Sequence, residues 1–215
     1  MEDLEVWITN VDTIEIPSID SFLDKNEEKI LNCLKNEQSR HLFIKSRFFL
    51  KNILKKYLHL PIEKIQIHYS KYAKPSIYPP LQFNLSHSKS YITCVVSPFY
   101  KVGIDIEFMK DIDALEMGKL IFSQEEWKIF SNLKRGDQKS YFFHTWTCKE
   151  AFLKGIGIGL HYPLNKITIE DFAIKNGNHS IKKWQLVPFA LDSEYKSIIA
   201  VKNFGESFNL KKYNV

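Results

Sequence analysis

Cysteine, long apolar runs and repetitive segments are all scarce in this sequence of 215 residues. The three cysteines, Cys33, Cys94 and Cys148, are odd in number and form no C-x-x-C pair, which argues against a disulfide framework or a zinc knuckle. No apolar run approaches the roughly 18 residues of a membrane span. The amino terminus is acidic where a secretory signal peptide would be basic and then apolar. We therefore expect a cytoplasmic protein with reduced thiols that does not contact a membrane.

Apolar and basic residues are plentiful by contrast. Hydrophobic residues make up 44% of the chain and aromatic residues 14%, which is enough to bury a folded core. The formal net charge is +5, and the basic residues are spread along the chain instead of forming one tail. This balance suits a polyanionic ligand or an acidic partner, although an ordinary soluble surface would have the same charge.

The order of periodic segments predicts an α+β fold. We expect an edge strand at residues 5–8 and a mostly helical stretch at 18–60, which Pro61 ends. Further strands are predicted at 65–69, 91–96, 102–106, 166–169, 182–187 and 197–201, and helices at 123–132, from a capping box, and at 138–154. Helices and strands in both halves suggest two subdomains, 1–107 and 108–215, with the active site between them, although no residue-level repeat is visible.

The first chemically suggestive segment is Gly103-Ile104-Asp105-Ile106-Glu107. The strand period of two places both carboxylates on one face, while Ile104 and Ile106 point to the core. Two adjacent acids repel each other, and a divalent cation such as Mg²⁺ would relieve that repulsion. A pair of solvent-facing acids on an edge strand is the alternative interpretation.

A second segment, residues 146–154, reads Trp-Thr-Cys-Lys-Glu-Ala-Phe-Leu-Lys. Trp146, Glu150 and Lys154 are four residues apart and share one helix face. Glu150 could be a third oxygen ligand and Lys154 could neutralise a phosphate, or the two could form an ordinary surface ion pair. A third segment, Asn84-Leu85-Ser86-His87-Ser88, places polar residues at a strand entrance and could hold phosphates or an adenine.

Together these segments resemble the Sfp-type 4'-phosphopantetheinyl transferases, the larger, pseudo-dimeric class of that family. Residues 84–88 are similar to its N-[IL]-S-H-S segment, residues 102–107 to its (V/I)GIDIE and residues 146–154 to its W-x-x-K-E-A-x-x-K. The resemblance runs from about residue 40 to 160. It implies two similar α/β subdomains related by a pseudo-two-fold axis. One departure is Ala73, which replaces the glycine usual before Lys-Pro.

The resemblance also implies roles for individual residues. It assigns Mg²⁺, with Mn²⁺ as an alternative, to Asp105, Glu107 and Glu150, and catalysis to Asp105, Glu150 and Lys154. It implies that coenzyme A is held by Lys74, Ser86, His87, Arg40, Arg47 and Lys51, of which the last three, on a basic helix, are the weakest assignments. The general base would be Glu150 or a water on the metal.

The activity that the resemblance implies is transfer of the phosphopantetheine arm of coenzyme A to a serine of an acyl or peptidyl carrier protein, with release of 3',5'-ADP. The carrier would be acidic and would dock near Phe122, although a buried core segment would have the same sequence pattern. The resemblance implies a monomer that does not bind nucleic acid. Two other interpretations remain: a nuclease built on the same carboxylates, and a non-catalytic module that binds an acidic partner.

Overall fold

The computed structural model describes residues 2–177, 179–181, 183–203 and 207–215. Within these ranges the helices are α1 (Lys25–Cys33), α2 (Glu37–Leu58), α3 (Ala114–Ile121), α4 (Gln124–Asn132) and α5 (Arg135–Ile156). The strands are β1 (Glu2–Asn10), β2 (His68–Tyr69), β3 (Pro75–Ser76), β4 (Gln82–Ser88), β5 (Tyr91–Ser97), β6 (Lys101–Phe108), β7 (Ile167–Glu170), β8 (Ala173–Asn176), β9 (His179–Ser180), β10 (Trp184–Pro188), β11 (Tyr195–Lys202) and β12 (Phe208–Asn214). Helices alternate with largely antiparallel strands, which confirms the α+β class.

Two sheets form the centre of the molecule. The first has the strand order β12-β1-β5-β4 and the second has the order β10-β11-β6. β4 is the edge of the first sheet, β6 is the edge of the second, and these two edges lie side by side. β1 lies between β12 and β5, so the prediction of an edge strand at residues 5–8 was wrong.

The two sheets pack against each other through one apolar layer and against helices on their other faces. Alternate residues of β1, β5, β6 and β11 form the layer between the sheets, among them Val6, Val95, Ile104 and Ile199. The first sheet packs its other face against α2, and the second sheet packs its other face against α5. In β6 this alternation turns Asp105 and Glu107 away from the middle layer and toward α5, as the strand period predicted.

A nine-residue helix followed by a 22-residue helix occurs once in each half of the chain. We call residues 22–58, with α1 and α2, the first helical unit, and residues 121–156, with α4 and α5, the second helical unit. Both short helices begin with a capping box, Asp24 with Glu27 and Ser123 with Glu126. Both of these glutamates are fully buried.

Each buried glutamate is paired with a buried lysine from the long helix of its unit. The Lys51 ammonium lies 2.6 Å from Glu27 Oε2 and donates to the carbonyl oxygen of Phe22 at 2.7 Å. The Lys149 ammonium lies 2.5 Å from Glu126 Oε2 and donates to the carbonyl oxygen of Ile121 at 2.8 Å. Phe22 and Ile121 each stand two residues before the N-cap of the short helix. The repeat is therefore structural, and it supports the two-subdomain interpretation.

The predicted subdomain boundary after residue 107 stays a prediction, but the sheets cross it. β6, which precedes the boundary, pairs with β11, and β12 returns to pair with β1 in parallel. Of the strand predicted at 65–69, only the two residues of β2 form a strand. Ile65 and Ile67 are buried beneath α2, and this burial accounts for the alternation of apolar and polar residues on which the prediction was based. Of the strand predicted at 182–187, Lys182 lies outside the described residues. Within the described ranges, no helix combines the length and apolar character that a membrane crossing requires.

Candidate active site

A pair of glycines brings helix α5 into direct contact with strand β6. A Cβ atom on Gly103 would lie 2.0 Å from the carbonyl oxygen of Ala151, and a Cβ on Gly155 would lie 2.6 Å from the ring of Trp184. Neither position leaves space for a side chain, so the two backbones touch. This contact places the last turns of α5 directly over the carboxylates of β6.

Asp105 is the centre of the resulting cluster and is 2% exposed. Its Oδ1 accepts a hydrogen bond from Ser86 Oγ at 2.9 Å and lies 2.6 Å from the Lys154 ammonium. The Lys154 ammonium also lies 3.1 Å from Ser86 Oγ. The structure therefore brings a strand, a helix and the N-L-S-H-S segment together at one carboxylate.

Glu107 lies next along the same face of β6 and is half-buried. Its Oε1 accepts a hydrogen bond from Trp146 Nε1 at 2.8 Å, and its Oε2 accepts one from Ser88 Oγ at 3.3 Å. Because Trp146 and Lys154 both contact these carboxylates, the predicted helix face is confirmed. The interpretation of Glu150 and Lys154 as a simple surface pair was wrong, since Glu150 is 7% exposed and Lys154 pairs with Asp105.

Burial and the neighbouring charges shift the pKa values of these groups. Burial and then the charge of Asp105 raise the pKa of Glu150 to about 7. Burial also raises the pKa of Asp105, against the opposing effect of the Lys154 ammonium. Burial and then the Asp105 charge raise the pKa of Glu107. Burial alone would lower the pKa of Lys154, but the three carboxylates outweigh it and raise that pKa.

Two oxygens of this cluster suggest a missing positive partner. Asp105 Oδ2 and Glu150 Oε1 are buried and have no hydrogen-bond partner among the described residues. Buried carboxylate oxygens in that state are costly unless a cation or donor meets them. Their hard, anionic chemistry fits a divalent cation. As they stand, no three His, Cys, Asp or Glu side chains of the described ranges are close enough to hold a metal ion.

Lys74 lies at the other end of the Gly103–Gly155 contact. Its ammonium donates to the carbonyl oxygen of Gly155 at 2.6 Å, so it caps the C-terminal end of α5. Burial and then the charge of Lys101 lower the pKa of Lys74 to about 8. Ala73 before it has a φ of 60°, a left-handed conformation that favours glycine, which accounts for the glycine that is usual at this position.

The other residues predicted to bind coenzyme A differ in their availability. His87 is exposed and Ser86 is buried. Arg40 Nη1 donates to the carbonyl oxygen of Leu31 at 2.6 Å, where α1 ends. Arg47 stacks over Phe43, with its guanidinium carbon 4.7 Å from the ring centroid, and its Nε lies 3.6 Å from Glu27 Oε1.

Lys51 requires a correction. It is fully buried and its ammonium is held by Glu27, so it offers no surface to a ligand in this structure.

The predicted docking residue Phe122 belongs to the protein core. It is 5% exposed and packs against Phe130 and Phe142. The alternative interpretation of this segment, a buried core, therefore holds for Phe122 itself. Its neighbour Leu120 is 76% exposed and offers far more apolar surface than Phe122.

Sequence reasoning missed the importance of Asn84 and Ser88. Their side chains, together with that of Ser86, face β6 and accept hydrogen bonds from its backbone. The spacing of two residues within Asn-x-Ser-x-Ser was a usable sign, because it places three polar side chains on one face of a strand.

Comparison with known proteins shows which family the chain resembles. The profile of the 4'-phosphopantetheinyl transferase superfamily matches residues 101–201. The chain is 27% identical over 213 residues to the 4'-phosphopantetheinyl transferase HetI of Nostoc sp., a match that covers 95% of this chain and 90% of HetI. It is 28% identical to gsp of Aneurinibacillus migulanus, covering 71% of this chain and 63% of gsp, and 28% identical to Sfp of Bacillus subtilis, covering 69% and 66%. The chain thus spans somewhat under two thirds of gsp and most of HetI. Residues 101–201 thus match the family model of the 4'-phosphopantetheinyl transferase superfamily, the chain is similar to these three transferases, and the three motifs gathered at one site agree with that similarity.

Proposed function

We propose that this protein transfers the phosphopantetheine arm of coenzyme A to a serine of an acyl or peptidyl carrier protein and releases 3',5'-ADP. The observation that carries the proposal is the buried cluster at Asp105. There Lys154 and Ser86 hold Oδ1, while Asp105 Oδ2 and Glu150 Oε1 have no partner among the described residues. Such a cluster suits a cation and a polyphosphate together.

Asp105, Glu107 and Glu150 would hold the Mg²⁺, and Mn²⁺ could take its place. When bound, the cation would neutralise charge on the pyrophosphate and so lower the barrier to attack by another oxygen. The raised pKa values of the three carboxylates support this assignment, because a buried anionic cluster without a cation holds its protons more tightly.

Glu150 and Lys154 have complementary roles in the proposed reaction. The serine oxygen attacks the β-phosphorus, a new P–O bond forms, and the bond to 3',5'-ADP breaks. The Glu150 carboxylate, whose Oε1 has no hydrogen-bond partner among the described residues, would accept the serine proton. The Lys154 ammonium supplies positive charge where the departing phosphate gains negative charge.

Coenzyme A would be bound by Lys74, Ser86, His87, Arg40 and Arg47, as the resemblance implies. A polar cleft of about 330 Å³ supports the position of Lys74, because it is lined by Lys74, Lys101 and the end of α5 at residues 155–157. Arg40 and Arg47 would have to exchange their present contacts for phosphate oxygens.

An acidic carrier would dock beside α3 and α4. A groove at the start of α4 is lined by Lys119, Phe122, Trp127 and Lys128, and the exposed Leu120 is adjacent in sequence. Two lysines around an aromatic floor suit an acidic helix with apolar contacts. We also propose a monomer and a cytoplasmic location.

Mass spectrometry of a carrier protein tests the proposal. An apo carrier incubated with the protein, coenzyme A and Mg²⁺ should gain the mass of one phosphopantetheine arm. A carrier whose acceptor serine is changed to alanine should gain nothing. Apo carriers from fatty-acid, polyketide and nonribosomal-peptide synthesis, tested side by side, would show which pathway is served.

Two other results would each overturn the proposal. Hydrolysis of nucleic acid with Mg²⁺ and without coenzyme A would favour a nuclease. Full biological function in Asp105→Ala would favour a binding module.

A further inference from the structure

Three side chains join the two central sheets at the edges where β4 and β6 meet. Asn84 Oδ1 accepts a hydrogen bond from the backbone N–H of Ile104 at 2.9 Å. Ser86 Oγ accepts one from Ile106 at 3.3 Å, and Ser88 Oγ accepts one from Phe108 at 3.0 Å. We call these three contacts the side-chain ladder. In it, side-chain oxygens of β4 satisfy backbone donors on the edge of β6.

Two of the three ladder contacts also touch a carboxylate. Ser86 Oγ lies 2.9 Å from Asp105 Oδ1, and Ser88 Oγ lies 3.3 Å from Glu107 Oε2. Among the described residues, the side chain of the third ladder residue, Asn84, makes no hydrogen bond to a carboxylate. Asn84 can therefore be compared with the two serines to separate the effect of joining the sheets from the effect of contacting a carboxylate.

The chemistry of a hydroxyl fixes the direction of these bonds. A backbone N–H can only donate, so each serine oxygen must accept from β6. The single hydroxyl proton is then left for the carboxylate, which can only accept when it is ionised. Each serine consequently favours the ionised form of its carboxylate and holds one defined oxygen of it.

Ser86 and Ser88 hold their carboxylates in different ways. At Asp105 the serine and Lys154 together hold Oδ1 and leave Oδ2 without a partner among the described residues. At Glu107 the serine holds Oε2 while Trp146 holds Oε1, so the carboxylate plane is fixed from both sides. Both side chains are thus oriented before any ligand arrives.

We propose that Ser86 and Ser88 are positioning residues that orient Asp105 and Glu107 for the divalent cation, and that the joint between the sheets is thereby part of the metal site. This inference rests on the proposed function, since it presumes that the two carboxylates bind a cation. Ser88 is the sharper test, because the resemblance assigns coenzyme A contact to Ser86 and none to Ser88.

The experiment compares Ser88→Ala, Ser86→Ala and the matched control Asn84→Ala. Mn²⁺ is titrated into each protein with coenzyme A present and no carrier, and free Mn²⁺ is followed by electron paramagnetic resonance. Urea unfolding of each variant is measured in parallel. We expect all three variants to lose comparable stability, because each loses one ladder contact.

Mn²⁺ affinity should separate the serines from the asparagine. Removing a residue that orients a metal ligand typically costs about 10- to 100-fold in metal affinity. We expect a loss of about 10-fold or more for Ser88→Ala and Ser86→Ala, and none for Asn84→Ala. Ser88→Thr, which keeps the hydroxyl, should restore affinity to within a few-fold of the wild type.

Wild-type Mn²⁺ affinity in Ser88→Ala would overturn the inference and leave the proposed function intact. An equal loss of Mn²⁺ affinity in Asn84→Ala would also overturn the inference. The ladder would then affect Mn²⁺ binding only by joining the two sheets, and not by orienting the carboxylates. A wild-type protein that binds no Mn²⁺ would overturn the proposed metal site and this inference with it.

Discussion

The two helical units share their framework and differ in what is added to it. Counted from the buried lysine of each unit, the next residue is Asn52 in the first unit and Glu150 in the second. The sixth residue is Tyr57 in the first unit and Gly155 in the second. The buried ion pair is thus common to both units, while the proposed catalytic group and the glycine contact occur in one.

This difference separates stability from chemistry within one fold. Glu27 and Glu126 each cap a helix and bind a lysine. The second oxygen of Glu27, Oε1, makes no hydrogen bond among the described residues, but it lies 3.6 Å from Arg47 Nε. Asp105 and Glu150 are also buried, neither is part of a helix cap, and each has one oxygen without a hydrogen-bond partner among the described residues. A carboxylate without a full set of partners is the better indication of a functional site.

The largest effect should come from breaking the ion pairs that the units share. Lys51→Met and Lys149→Met each leave a buried glutamate without its lysine, and we expect each to lower the free energy of unfolding by about 3–5 kcal/mol. Urea unfolding measures both. Lys139→Met is the control and should change little, because its partner Asp111 is exposed. A large loss in one unit and none in the other would break the equivalence of the units.

The next effect concerns the residue that follows each buried lysine. Glu150→Gln removes the proposed proton acceptor, and we expect the rate of carrier modification to fall by about 10²- to 10³-fold, as for the loss of one group that stabilises a transition state. Asn52→Ala, at the matching position of the first unit, should keep the wild-type rate. Mass spectrometry of the carrier over time provides both rates. A near-normal rate for Glu150→Gln would contradict the assignment.

A smaller effect should follow from filling the glycine contact. Gly155→Ala places a methyl group against Trp184, and overpacking of this kind costs about 1–3 kcal/mol of unfolding free energy. Gly136→Ala is the matched control in the same helix, because a Cβ there would meet nothing within 4 Å. It should be neutral or slightly stabilising. Thermal unfolding of the two variants checks the pair, and equal melting temperatures would count against a tight contact.

Lys74→Met should have the smallest effect. It removes the hydrogen bond with which Lys74 caps the C-terminal end of α5, and we expect the free energy of unfolding to fall by about 1 kcal/mol or less at neutral pH. Because the pKa of Lys74 is lowered from 10.5 to about 8, the folded protein binds fewer protons than the unfolded chain between these values. The stabilisation that comes from this difference in proton binding is therefore complete above pH 10.5 and is lost as the pH falls through 8.

Urea unfolding at several pH values tests this sign. The free energy of unfolding of the wild type relative to Lys74→Met should rise between pH 8 and pH 10. Lys101→Met should move the rise to higher pH, because it removes the second cause of the shift. Parallel curves for wild type and Lys74→Met would show that Lys74 is not buried in solution.

Local rules predicted much of the fold and the centre of the site. The strand period placed Asp105 and Glu107 on one face, and the capping box at Ser123 gave the start of α4. The helix period placed Trp146 and Lys154 beside the carboxylates. Each of these inferences uses residues that are close in sequence, where backbone geometry alone decides which side chains share a face.

Contacts between distant segments could not be predicted in this way. Nothing in the sequence of β12 indicates that it pairs with β1, because strand pairing depends on the whole arrangement of the core. Lys51 looked like a ligand-binding residue of a basic helix, yet a glutamate 24 positions earlier holds it in the interior. The side-chain ladder was hidden for the same reason, since its partners are 20 residues apart.

The contact between Gly103 and Gly155 also has a consequence for how freely the rest of the protein can vary. Main-chain atoms, which every residue type shares, determine the separation of β6 and α5 at this point. Exchanges of apolar side chains elsewhere in the interior alter volumes without altering that separation. The spacing between Asp105 and Lys154 is therefore insulated from most changes in the surrounding core, and an engineer could redesign that core extensively while the two charges keep their distance.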